Sequence, residues 1–161
     1  MNQRILPLLN RCTLLTRFQT WVVGYSPTPK PRDFSVLSFM NAKLALCNSR
    51  ELVEAAQAVP FDVVYAGQTC RAFAVRFKGQ PHAYLNRCTH VAMELDWQPN
   101  RVFDNSGRWL LCASHGAAYQ PDTGQCVGGP CNGGLVKITV SEKDEVVYWH
   151  CAYNLKPPEF S

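Results

Sequence analysis

Two short stretches of this sequence could do metal chemistry. Cys88-Thr89-His90 and Cys112-Ala113-Ser114-His115 each place a thiol and an imidazole on one short segment, and these are the donors that zinc, copper and iron prefer. Eight cysteines and four histidines are spread over 161 residues, and a C-x-H and a C-x-x-H arise together by chance in roughly 4% of such sequences. The four residues therefore read as one four-ligand site on two loops. In a two-Cys, two-His zinc finger the cysteines usually share one knuckle and the histidines one helix, whereas here each loop supplies one of each. That distribution suits two irons, as in a [2Fe–2S] cluster with thiolates on one iron and imidazoles on the other. A zinc-stabilised Cys2His2 binding module without redox activity is the alternative the ligand types leave open.

With C-T-H at 88–90, C-x-x-H-G at 112–116, Asp122-Thr123-Gly124 and Gly128-Gly129-Pro130, the chain resembles the Rieske iron–sulfur family over residues 43–155. The resemblance implies a [2Fe–2S] cluster, with Cys88 and Cys112 on a buried iron and His90 and His115 on an outer one. It implies that Gly116 lets the backbone turn close to the cluster, and that Gly128-Gly129-Pro130 forms a third, covering loop. Cytochrome bc-type members carry two further cysteines that join the ligand loops; those positions are Met93 and Ser114 here. The chain thus looks like the soluble ferredoxin branch. A bc-type serine is replaced by Ala117, while Tyr119 matches a tyrosine whose hydroxyl can reach a ligand sulfur.

An electron carrier follows from this likeness, passing single electrons from a reductase to an oxygenase or other oxidoreductase. An oxygenase in its own right would need a further two-His, one-carboxylate iron site, and the residues after His115 contain a single histidine, His150. No nicotinamide or flavin fingerprint is present, so the donor is expected to be a protein. The rim around the histidines, with Val91, Ala92, Met93, Ala117 and Ala118, is the expected docking surface. Cys126 and Cys131 flank the third loop and are expected to be free thiols, because the ligand set is already complete and a reducing compartment disfavours a disulfide. Cys12, Cys47, Cys70, Cys151, His82 and His150 have no partner at ligand spacing.

Positioning two such loops calls for a rigid scaffold, and the surrounding pattern is mainly β. Runs of period two occur at 61–65, 71–77 and 82–85, separated by turn residues at Ala66-Gly67 and 78–81. Arg71, Phe73, Val75 and Phe77 would share one face, Ala72, Ala74 and Arg76 the other. Further strands are expected at 108–112, 135–140 and 145–149, joined by turns at 104–107 and 141–144. Asn48 with Glu51 forms a capping box before good helix formers that stop at Pro60, predicting one short helix over 51–58. The fold class is therefore an antiparallel β-sandwich or barrel with a small cluster-binding subdomain and one short helix.

The remaining residues bound the function by exclusion. Residues 1–39 hold five basic groups against Asp33, while 40–161 hold 11 basic and 11 acidic groups and sum to zero. A neutral body argues against nucleic acid as partner. The 1–39 stretch reads as a basic, disordered extension, an organelle transit segment or a start placed upstream of a true start at Met40, ahead of a domain at 40–161. Its apolar residues are interrupted by Arg11 and Arg17, so it does not read as a membrane span or a secretory signal, and a cytoplasmic location is expected.

Overall fold

The structure is a computed structural model and describes residues 42–159; the expected extension at 1–39 and the boundary at Met40 lie outside the described residues. Within them the chain runs β1 (Lys43–Asn48), a 3-10 turn (Ser49–Glu51), β2 (Val59–Tyr65), β3 (Gln68–Phe77) and β4 (Gln80–Leu85). Next come β5 (Leu110–Leu111), β6 (Ala118–Tyr119) and β7 (Cys126–Gly128). The series ends with β8 (Lys137–Ile138), β9 (Val140–Lys143), β10 (Val146–His150) and β11 (Leu155–Lys156). They form three antiparallel sheets ordered β1-β10-β9, β11-β2-β3-β4-β8 and β5-β6-β7.

The five-stranded sheet is buried on both faces, and the alternation along β3 shows why. Phe73 and Val75 join Tyr84 in a core with Leu95, Val102, Leu110, Leu135 and the two Cys/His loops. Ala72 and Ala74 face the opposite way, with Ala83, Leu85, Val147 and Trp149, against the β1-β10-β9 sheet. One sheet thus separates a sandwich core from the core of the small subdomain that carries both Cys/His segments. Two hairpins fix its register: Ala66-Gly67 (φ 49° and 80°) and Lys78-Gly79 (φ 53° and 73°) have the paired left-handed residues of two-residue type I′ turns. At Pro60, inside β2, the missing N–H costs no ladder bond, because β11 pairs with β2 only at Val64 and Tyr65.

The helix expected over 51–58 shrinks to one turn. The capping box forms, with Asn48 accepting from the Arg50 amide and Glu51 accepting from the Asn48 amide. Beyond it Leu52 is buried in the sandwich core, and the chain runs beside β3 as an edge. There the Glu54 carboxylate accepts from the Lys78 and Gly79 amides, and Ala55 N–H donates to Arg76 O at 2.9 Å. These tertiary bonds outweigh a helix propensity that is only a fraction of a kcal/mol per residue. The turn expected at 141–144 moves to Asp144-Glu145, since 141–143 belong to β9.

Candidate metal centre

The first Cys/His segment leaves the end of β4 and is pinned at its base by a buried polar side chain. Asn86 Nδ2 donates to Asp96 Oδ1 at 2.6 Å while its Oδ1 accepts from the Leu95 amide at 2.8 Å. Asp96 in turn accepts from the Asn100 amide. Within the loop Cys88 N–H donates to Met93 O at 2.8 Å. The second segment is the tip of the β5–β6 hairpin, closed by Cys112 N–H to Ala117 O and Gly116 N–H to Cys112 O, at 2.8 and 2.9 Å. Gly116 sits at φ +73°, where a side chain is strained. Ala113 N–H reaches across to Leu95 O, so the two loops are tied to each other.

This framework brings the four residues together as two pairs of like kind. Cys88 and Cys112 are 4% and 0% exposed, and each bears on the other's ionisation. Amides two and three residues on aim back at each sulfur: those of His90 and Val91 at Cys88, those of Ser114 and His115 at Cys112. Burial pushes the Cys88 thiol up, but the Tyr119 hydroxyl, those amides and Cys112 together bring it below its ordinary value. Burial and the neighbouring Cys88 raise Cys112 instead, despite its own amides. Two thiols in contact resist joint ionisation, which is the electrostatic condition a cation between them would relieve.

The imidazoles of His90 and His115 meet edge to face, ring centroids 4.9 Å apart. His115 is exposed and His90 half-buried, so this pair lies on the solvent side of the thiols. His90 Nδ1 is buried without a hydrogen-bond partner, an arrangement that native proteins reserve for strain, ligation or catalysis. Among the described residues no three His, Cys, Asp or Glu side chains converge on one metal-sized point. A pair of thiols beside a pair of imidazoles, one nitrogen unpartnered, is a donor set that fits two irons sharing a cluster rather than one tetrahedral ion.

Tyr119, fully buried in β6, links this centre to the loops. Its hydroxyl lies 3.2 Å from Cys88 Sγ, accepts from the Thr89 amide at 3.0 Å and touches Thr89 Oγ1 at 3.0 Å. Thr89 Oγ1 then donates to Gly133 O of the third loop at 3.1 Å. That loop does pack against the ligand loops: a Cβ on Gly129 (φ +75°) would strike the Gly116 carbonyl oxygen and lie 2.9 Å from Ala117 Cα. A Cβ on Gly116 meets no protein atom within 4 Å.

Two expectations are corrected here. Cys126 and Cys131 are joined in a disulfide, because the turn through Pro130 brings their Cα atoms to 6.0 Å, within bridging range. Ala117 is fully buried, so it does not belong to the exposed rim expected around the histidines, and Ala118 is half-buried. Asp122-Thr123-Gly124 lies beneath the third loop, where Gly124 (φ +76°) packs on the Tyr84 ring and Tyr84 Oη donates to Pro121 O at 2.9 Å. His150 pairs with the Ser141 hydroxyl at 2.8 Å, away from the ligands in sequence and sheet. Asn86, Asp96 and Thr89 were not singled out from sequence. An Asn at the end of an apolar strand, ten residues before an Asp, was the available sign.

A family model described as the Rieske [2Fe–2S] domain matches residues 42–149. No curated protein sequence matches the chain. Among solved structures, the terminal oxygenase of carbazole 1,9a-dioxygenase from Novosphingobium sp. KA1 is 25% identical, with a TM-score of 0.56. The match covers 75% of this chain but only 32% of that one, so the chain spans about a third of the oxygenase's length. The ferredoxin of carbazole 1,9a-dioxygenase from Nocardioides aromaticivorans IC177 is 17% identical over 68% of this chain and 98% of its own, with a TM-score of 0.56. The Sphingomonas yanoikuyae B1 ferredoxin is 22% identical over the same shares, with a TM-score of 0.51.

Proposed function

The chain belongs to the Rieske [2Fe–2S] domain family, and we propose that it is a ferredoxin or small ferredoxin-like subunit carrying single electrons from a reductase to an oxygenase or another oxidoreductase. Cys88 and Cys112 would hold the inner iron, His90 and His115 the outer one. The observation that carries the ligand assignment is the sorting of the four residues into a buried thiol pair and an outer imidazole pair, with His90 Nδ1 buried and unpartnered. The likeness to two ferredoxins, each matched along 98% of its length, supports the carrier role.

When bound, the cluster supplies a one-electron couple in a site made less negative by neutral imidazoles. The chain's own groups then do three things. The four amides and the Tyr119 hydroxyl donate to the sulfurs and stabilise the negative charge that an added electron brings. The buried cluster of Leu95, Leu110, Ala117 and Leu135 keeps water from the thiol side. The exposed apolar side chains Val91 and Met93, 48% and 41% accessible, follow His90 in the same loop and suit a small transient contact. No helix among the described residues is long and apolar enough to cross a membrane.

Metal and acid-labile sulfide analysis of the purified chain tests this directly, with electron paramagnetic resonance of the reduced protein. Two irons and two sulfides per chain are expected, and Cys88→Ser should abolish both, because a hydroxyl replaces a thiolate poorly on iron. One zinc per chain with no sulfide, or a full visible spectrum in Cys88→Ser, would overturn the ligand assignment.

A further inference from the structure

The third loop lies on the ligand loops yet is fastened by few bonds. Among the described residues, 129–134 make no backbone–backbone hydrogen bond outside the strand ladders. Two links hold them: the Thr89 hydroxyl on Gly133 O, and the Cys126–Cys131 disulfide. Both links lead to the same place. Thr89 stands between Cys88 and His90 and touches Tyr119, while Cys126 pairs with Tyr119 across the β6–β7 ladder. Both bridged cysteines also pack on the buried cluster that contains Cys88, Cys112, Ala117 and Tyr119.

Between these fastenings lies the tightest backbone contact of the centre, Gly129 on Gly116–Ala117. Ala117 O is the acceptor that closes the Cys112 hairpin, and Gly116 N–H donates to Cys112 O. Displacing the third loop therefore releases pressure on the two hydrogen bonds that shape the turn between Cys112 and His115. We infer that the Cys126–Cys131 disulfide is a positioning clasp: by closing the 126–131 turn it seats Gly129 on the second ligand loop and holds Cys112, His115 and Tyr119 in cluster-binding geometry. The inference rests on the ligand assignment proposed above. It gives the bridge a role in the centre, beyond the restriction any short cross-link places on an unfolded chain.

The test compares three forms of the cluster-loaded chain: wild type, Cys126→Ser/Cys131→Ser, and wild type whose bridge has been opened by a dithiol. That reagent passes two electrons and two protons to the bridge, leaving two thiols on the chain and a disulfide in the reagent. The readouts are the rate at which an iron chelator bleaches the visible absorbance, and the visible circular dichroism of the bound cluster. Both opened forms should bleach about tenfold faster with an altered dichroism, and the dithiol-treated wild type should recover on reoxidation. Bleaching within about twofold of wild type together with unchanged dichroism would overturn the clasp, whatever happens to the melting temperature. If the wild type holds no cluster, the ligand assignment fails first. Hydrogen exchange at the Cys112 and Gly116 amides then still reads the clasp: faster exchange in the double serine variant supports it, and equal exchange refutes it.

Discussion

Replacing Tyr119 by phenylalanine isolates one hydroxyl at the centre. The ring is fully buried and its shape is retained, so no cavity opens. What disappears is the O–H beside Cys88 Sγ at 3.2 Å and the acceptor of the Thr89 amide at 3.0 Å. A hydrogen bond to a charged partner is worth about 1.5–3 kcal/mol, and only the part that grows when the electron arrives moves the potential. If about half of that bond strengthens on reduction, the difference is about 0.8–1.5 kcal/mol, or about 30–65 mV for one electron. The potential should therefore fall by about that amount, because the reduced, more negative state loses the larger stabilisation. The orphaned Thr89 amide should cost a further kcal/mol or so of stability. Protein-film voltammetry at fixed pH measures the first effect and thermal melting the second. Thr89→Val, which leaves the tyrosine donor in place, is the control and should shift the potential less. An unchanged or raised potential in Tyr119→Phe, with the visible spectrum intact, would show that the hydroxyl does not donate to the ligand sulfur.

Other perturbations follow from the same contacts. Gly129→Ala places a methyl against the Gly116 carbonyl at a left-handed φ, so it should destabilise the subdomain by about 2–3 kcal/mol; a melting temperature equal to wild type would mean the third loop can lift away freely. Glu142 is held below its ordinary 4.5 by the Arg76 hydrogen bond first and the Ser49 hydroxyl second. A depressed carboxyl contributes stability that is present above its unfolded value and lost as pH falls through the folded one. Unfolding free energy measured by urea titration should thus be level above about pH 5 and decline below 4.5, and Glu142→Gln should make that decline shallower; an identical acid limb in both proteins would exclude the pair as a source.

Much of this architecture is legible in the sequence where local signals are strong. The long strands β2 to β4 carry period-two runs bounded by Ala-Gly and Lys-Gly turns, and their faces divide as the alternation demands. The two-residue strands β6 and β11 are too short to show any period, so they exist only through pairing with distant partners. The helix misreading has the same origin, since Glu54 and Leu52 are recruited by β3 and by the core, partners that no local window contains. At the centre, Cys88, His90, Cys112 and His115 stand out by type and spacing. Asn86 binding Asp96, and Gly129 lying on Gly116, are contacts between segments 10 and 13 residues apart and leave no periodic trace. The bridge between Cys126 and Cys131 needed a Cα separation, which composition does not contain.

The thiol pair is sealed by protein and the imidazole pair alone reaches the surface, which gives the centre a single door. In the proposed carrier role, a donor and an acceptor using that door would have to take turns, so every delivered electron would require one complex to fall apart before the next could form. Throughput then depends on how quickly each partner lets go, and binding either one more tightly slows the cycle. An excess of donor should compete with acceptor, and the steady-state rate plotted against the concentration of either partner should pass through a maximum.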